Sequence, residues 1–140
     1  GAPKLIETAK QFGYLTDLET APLQLEGMMT GSIDLLCRHQ GRYYVIDYKT
    51  NHLGNAPSDY AAEALTASIR HHQYDLQYLL YCVAVKKILA LRQPKVPFED
   101  LFGGVVYLFL RGMTGSPDGG VHFDPVPIAL IEALEVGLNS

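Results

Sequence analysis

The chain has 140 residues, 48% of them hydrophobic and 19% charged, with a formal net charge of −4, which suits one packed globular domain. The acidic balance is unlike that of a free-standing nucleic-acid binder, whose affinity rests on Lys and Arg neutralising phosphates, so any such affinity has to come largely from elsewhere. No apolar run reaches the ~18 residues of a membrane span, and the start GAPKLIETAK lacks the hydrophobic stretch of a secretory signal, so a cytoplasmic protein is expected.

In chain order, Pro3 to Phe12 has helical character closed by Gly13, and Leu23 to Thr30 is a candidate strand interrupted by Gly27. Neither carries chemistry. Ser32 to Arg38 and Tyr43 to Lys49 are rich in Ile, Leu, Val and Tyr, and the intervening His39-Gln40-Gly41-Arg42 supplies a glycine where a tight turn needs positive φ. A hairpin follows. With Gln40-Gly41 as a two-residue loop, or His39 to Arg42 as a four-residue one, counting back down the ladder sets Asp34 opposite Asp47.

Opposed residues on antiparallel strands share a face, their Cβ atoms roughly 4.5–5.5 Å apart, and like charges there repel. Two carboxylates so placed call for a cation. Because side chains alternate, Lys49 projects from the face of Asp47 about 7 Å along the strand, while Tyr44, Ile46 and Tyr48 point the other way, toward a core. Hard cations such as Mg²⁺ take oxygen ligands, often only one or two of them protein carboxylates. An ammonium beside such an ion neutralises charge on phosphate oxygens, so Asp34, Asp47 and Lys49 suit phosphodiester hydrolysis. The plainer alternative is a surface ion pair between Asp47 and Lys49 beside an unrelated Asp34.

Asn51 to Ser58, with Gly54 and Pro57, reads as a loop next to these residues. Ser58 is the expected N-cap of an alanine-rich helix to about Arg70, and a second helical pattern runs from about His72 to Leu91, before Pro94 and Pro97. A break near His71-His72 places Tyr74, Gln77, Tyr78 and Tyr81 on one stripe. Packing against a sheet accounts for the tyrosines. Gln77 in that stripe needs a hydrogen-bond partner: a water of the site, a DNA backbone, or a buried group of the fold.

Val105 to Leu110 is a continuous apolar run, expected as a central strand buried on both faces, with Arg111 at its end either approaching phosphate or, the commoner outcome, solvated. Glycine, serine and proline from Gly112 to Gly120 mark a mobile loop, and Pro127 to Leu138 reads as a closing helix. Cys37 and Cys82 have no metal spacing and read as buried free thiols. There is no internal repeat, Gly-rich phosphate loop or zinc-type spacing.

The wording around the three polar residues carries more than their spacing does. Gly31-Ser32-Ile33-Asp34, then a hairpin, then Tyr43-Tyr44-Val45-Ile46-Asp47-Tyr48-Lys49-Thr50-Asn51, resembles the RecB-type nuclease domain of exonuclease V, within the PD-(D/E)XK nuclease superfamily. Downstream, Gln77 and Tyr81 match the Q-x-x-x-Y pattern of these nucleases, and Phe102 to Gly112 is similar to the following strand. The likeness is nearly continuous from about Met28 to Gly112.

The resemblance implies an α/β, restriction-endonuclease-like mixed sheet flanked by helices, formed by residues 1–140 as a single domain. It makes Asp34 and Asp47 metal-binding acids, the carbonyl of Tyr48 a further ligand, Lys49 the catalytic lysine, and Gln77 and Tyr81 substrate-binding residues beside the site. A metal-bound water would cut DNA to a 5′-phosphate and a 3′-hydroxyl. Expected partners are single strands from unwound duplex, the helicase part of the same polypeptide, and RecC-like and RecD-like subunits, with no membrane. Such nucleases also use a metal-binding His and an acid from elements before the matched segment, so the chain is expected to be a fragment. His39, His52, His71, His72, His122 and Glu26 do not occupy those places. Two other readings share these residues: a docking or DNA-guiding module with the nuclease fold but an incomplete metal shell, and a hydrolase of small phosphate esters.

Overall fold

The structure, a computed structural model, describes residues 2–16, 35–113 and 119–139. The candidate strand Leu23 to Thr30, Glu26, Ser32 to Asp34 and part of the loop after Gly112 lie outside the described residues. Helix α1 (Ala2–Gln11) buries Leu5, Ile6 and Ala9 and ends at Gly13, whose φ of 83° is the left-handed conformation that closes helices.

Strands β1 (Leu35–His39) and β2 (Arg42–Lys49) pair antiparallel from His39–Arg42 to Leu35–Ile46. The loop is the two-residue form. Gln40 and Gly41 both have positive φ, 51° and 79°, the turn whose twist matches that of the flanking strands. Two helices follow, α2 (Ala62–His71) and α3 (Tyr74–Arg92), then a short α4 (Phe98–Leu101). Strand β3 (Phe102–Phe109) runs parallel to β2, β4 (Val121–Asp124) runs antiparallel to β3, and α5 (Ile128–Leu138) closes the fold. The mixed sheet has order β1-β2-β3-β4, as expected of an α/β restriction-endonuclease-like fold.

Between β2 and β3 the register slips at Tyr43/Tyr44. Gly104 absorbs the irregularity with a φ of 127°, and a Cβ there would strike the carbonyl oxygen of Asp124. The break between α2 and α3 falls where the sequence places it, at His72 and Gln73, with Gln73 at a φ of 58°. Among the described residues no helix is long and apolar enough to cross a membrane.

Four expectations need correction. The faces of β2 are reversed: Asp47 is 2% exposed and Tyr48 49%, because α3 lies over the face that carries Val45, Asp47 and Lys49, while Tyr44 and Ile46 are only half-buried. Strand β3 is deeply buried on one face only. Val105, Tyr107 and Phe109 are covered, Val106 and Leu108 are half-buried, and Leu110 has left the strand and is exposed.

Ser58 is not an N-cap; it sits inside a 3₁₀ turn, Pro57–Tyr60, and Ala61 begins α2 without a side-chain cap. The proline at the head of that turn favours a separate turn before the helix starts. Finally, Cys82 is buried but Cys37 is only half-buried, since β1 lies at the edge of the described sheet.

Candidate functional site

Asp47 and Lys49 lie two residues apart on β2, so strand alternation alone sends both side chains to the face beneath α3. The Lys49 ammonium Nζ stands 2.7 Å from Asp47 Oδ2, with the two side chains 17% and 3% exposed. The ion pair lacks hydrogen-bond geometry: Oδ2 is buried and has no hydrogen-bond partner. A buried carboxylate oxygen is costly to leave without a countercharge, and the Lys49 ammonium 2.7 Å away supplies part of it. The hard oxygen character of Oδ2 fits a divalent ion such as Mg²⁺.

Asp34 is outside the described residues, and among the described residues no three His, Cys, Asp or Glu side chains converge. The pairs from His39–Arg42 to Leu35–Ile46 keep the register from which Asp34 was expected to face Asp47.

Two aromatic rings flank the lysine. Lys49 Nζ is 4.1 Å from the centroid of the Tyr74 ring and 5.4 Å from that of Tyr107. Tyr107 lies beside Asp47 in the β2–β3 register. Its hydroxyl donates to Gln77 Oε1 at 3.1 Å and more weakly to the main-chain oxygen of Tyr74 at 3.4 Å. Burial, and then the negative charge of Asp47, push this phenol well above its ordinary pKa, so it stays a neutral donor.

Tyr74 stacks on His72 with ring centroids 5.1 Å apart, and its hydroxyl accepts from Asn51 Nδ2 at 3.2 Å. Of the three partners open to Gln77 on sequence grounds, its carbonyl oxygen has the buried one, Tyr107. Tyr81 is buried one turn further along α3. Arg111, read as a solvated strand end, is exposed and donates from Nε to the carbonyl of Thr50 at 2.7 Å, tying the end of β3 to that of β2.

A second polar cluster occupies the same sheet face nearer α1. Asp124 accepts from the hydroxyls of Tyr14 at 2.9 Å and Tyr78 at 2.6 Å, and from the main-chain N–H of Val126. Burial, then the Asp124 charge, push both phenols up. His122 is held below its ordinary pKa by burial, against the opposing charge of Asp124. Asp75, in the first turn of α3, accepts from Leu76 N–H, and burial raises its pKa to about 6.

Sequence reading missed β4 and these tyrosine–aspartate bonds. The alternation Val121-His122-Phe123-Asp124 after a glycine pair was the available signal for the strand. It also gave Tyr107 and Asn51 no role of their own at the site, because their partners lie on other elements.

A model of the PD-(D/E)XK nuclease superfamily matches residues 4–134. The chain is 47% identical over 112 residues to the RecBCD enzyme subunit RecB of Haemophilus influenzae, covering 80% of this chain and 9% of that protein. It is 46% identical over 101 residues to the RecBCD enzyme subunit RecB of Escherichia coli K12, covering 71% and 9%. With the subunit of the same name from Mycobacterium tuberculosis H37Rv it shares 44% over 119 residues, covering 79% and 11%. The chain therefore spans about a tenth of the length of these curated relatives.

Proposed function

Since the chain belongs to the PD-(D/E)XK nuclease superfamily, as a RecB-type nuclease domain, we propose that it hydrolyses DNA phosphodiesters using Mg²⁺ held by Asp34, Asp47 and the main-chain carbonyl of Tyr48, with Lys49 alongside. The observation that carries this reading is the buried Asp47 Oδ2, which has no hydrogen-bond partner and faces the Lys49 ammonium. When bound, a divalent ion lowers the pKa of its water and screens the phosphate oxygens.

The chain's own residues do the rest. Asp34 and Asp47 supply hard anionic oxygens. The Lys49 ammonium neutralises charge that develops on the non-bridging phosphate oxygens as the bond to the 3′ oxygen breaks, leaving a 5′-phosphate and a 3′-hydroxyl. Gln77 and Tyr81 flank the scissile phosphate from α3; with Gln77 Oε1 engaged by Tyr107, its amide NH₂ is the group that donates to DNA.

In this reading the substrate is a single strand delivered by the helicase part of a longer polypeptide working with RecC-like and RecD-like subunits, in the cytoplasm, during double-strand break repair and recombination. Two facts support it: the matched segment makes up only about a tenth of the curated relatives' length, and the chain's net charge of −4 suits a domain to which DNA is brought by other parts.

The test is cleavage of a labelled single-stranded oligonucleotide by the full polypeptide with and without Mg²⁺. Asp34→Ala and Asp47→Ala are expected to abolish cleavage, and an Asp47→Ala protein that cuts like wild type overturns the assignment. Calorimetric titration with Mg²⁺ separates an enzyme from a guiding module: the module binds none. Preference for a nucleotide monophosphate over the oligonucleotide would mark a small-ester hydrolase.

A further inference from the structure

Lysine is a flexible point charge on a long stem that loses rotamer entropy when held in one place. Among the described residues the one charged neighbour of Lys49 within bonding distance is Asp47, through a contact without hydrogen-bond geometry. If Asp47 also ligates a metal, as proposed above, two cations share one carboxylate, and the ion pair alone is a poor anchor for the ammonium.

The surroundings provide a second anchor that does not compete for that carboxylate. The faces of Tyr74 and Tyr107 stand 4.1 and 5.4 Å from Nζ, within the range in which a ring quadrupole attracts a cation. Both rings are themselves fixed. Tyr107 is fully buried, and its hydroxyl is bound to Gln77 and the main chain at Tyr74. Tyr74 is stacked on His72 and held at its hydroxyl by Asn51.

We propose that Tyr74 and Tyr107 are positioning residues, a two-ring clamp that sets the Lys49 ammonium over the site before DNA arrives; the inference rests on the nuclease reading above. His72 then acts one step further out, its stack holding the Tyr74 ring even without the Asn51 bond.

The test compares Tyr74→Phe, which keeps the ring and loses only the Asn51 bond, with Tyr74→Leu, which keeps bulk and loses the ring. In the full polypeptide, single-turnover cleavage of a single-stranded oligonucleotide at saturating Mg²⁺ is expected to fall about tenfold in Tyr74→Leu, with KM within about twofold, and to stay within about twofold of wild type in Tyr74→Phe. In metal-free protein labelled with ¹³Cε-lysine, the Lys49 ε-methylene signal, identified by its loss in Lys49→Arg, is expected upfield from ring current in wild type and Tyr74→Phe and shifted back in Tyr74→Leu.

Unchanged cleavage by Tyr74→Leu, or equal losses in the Phe and Leu variants, overturns the clamp. So does an unshifted Lys49 signal in wild type. Wild-type cleavage by Lys49→Ala would instead bring down the nuclease reading, while the lysine signal still decides whether the rings hold the ammonium.

Discussion

Asp75 lies in the first turn of α3, the helix that delivers Tyr74 and Gln77 to the site, and it is 6% exposed. Burial raises its pKa from 3.8 to about 6, against the opposing influence of its backbone hydrogen bonds and of Arg70. A carboxyl with a raised folded-state pKa binds protons more tightly folded than unfolded. Its ionisation therefore weakens the fold as pH rises through the window from about 4 to about 6, and the full cost persists above it. A shift of about two units corresponds to roughly 3 kcal/mol. Asp75 also lines a cavity of about 220 Å³ with Tyr14, Arg70 and His122, and screening by solvent there reduces the expected cost to about 1–2 kcal/mol.

Asp75→Asn removes the ionisation while keeping an oxygen to accept from Leu76 N–H. Urea unfolding of both proteins from pH 4 to pH 7.5 is the assay, read as the stability difference between them, so that carboxylates common to both cancel. The variant is expected to gain about 1–2 kcal/mol relative to wild type as pH rises across the window. Parallel stability curves would show that Asp75 is not ionising against burial, and the reasoning would fail.

Asp124→Ala strips the acceptor from the Tyr14 and Tyr78 hydroxyls and is expected to cost about 2–4 kcal/mol in urea unfolding, because one buried and one half-buried phenol lose their partner. Gly41→Val, at a φ of 79° in the hairpin loop, is expected to cost about 1–2 kcal/mol by the same measurement. Leu79→Ala, at a fully buried position on α3, is expected to cost about 2–5 kcal/mol. Chelation of divalent ions is expected to stop oligonucleotide cleavage by the full polypeptide, with recovery on adding Mg²⁺ back.

What could be read from the sequence was local. The hairpin register depends on strand alternation and a two-residue turn, and Gln40-Gly41 specify that turn through their positive φ. The placement of Asp47 and Lys49 on one face needs only the two-residue spacing. The break before Tyr74 and the stripe Tyr74, Gln77, Tyr78 and Tyr81 likewise come from neighbours along one helix.

Which face of β2 is covered could not be read this way. One face presents Val45, Asp47 and Lys49 and the other Tyr44, Ile46 and Tyr48; local hydrophobicity favours burying the second, whereas α3 buries the first. That choice belongs to tertiary packing. It is made by Tyr107 reaching Gln77 across 30 residues, and by Tyr78 reaching Asp124 across 46. The chain's residue pattern thus determined the chemistry available, an acid and an amine two positions apart. Only the packing of α3 on the sheet determined that this chemistry sits under aromatic rings and away from bulk water, because contacts between distant segments leave no periodic trace in either one.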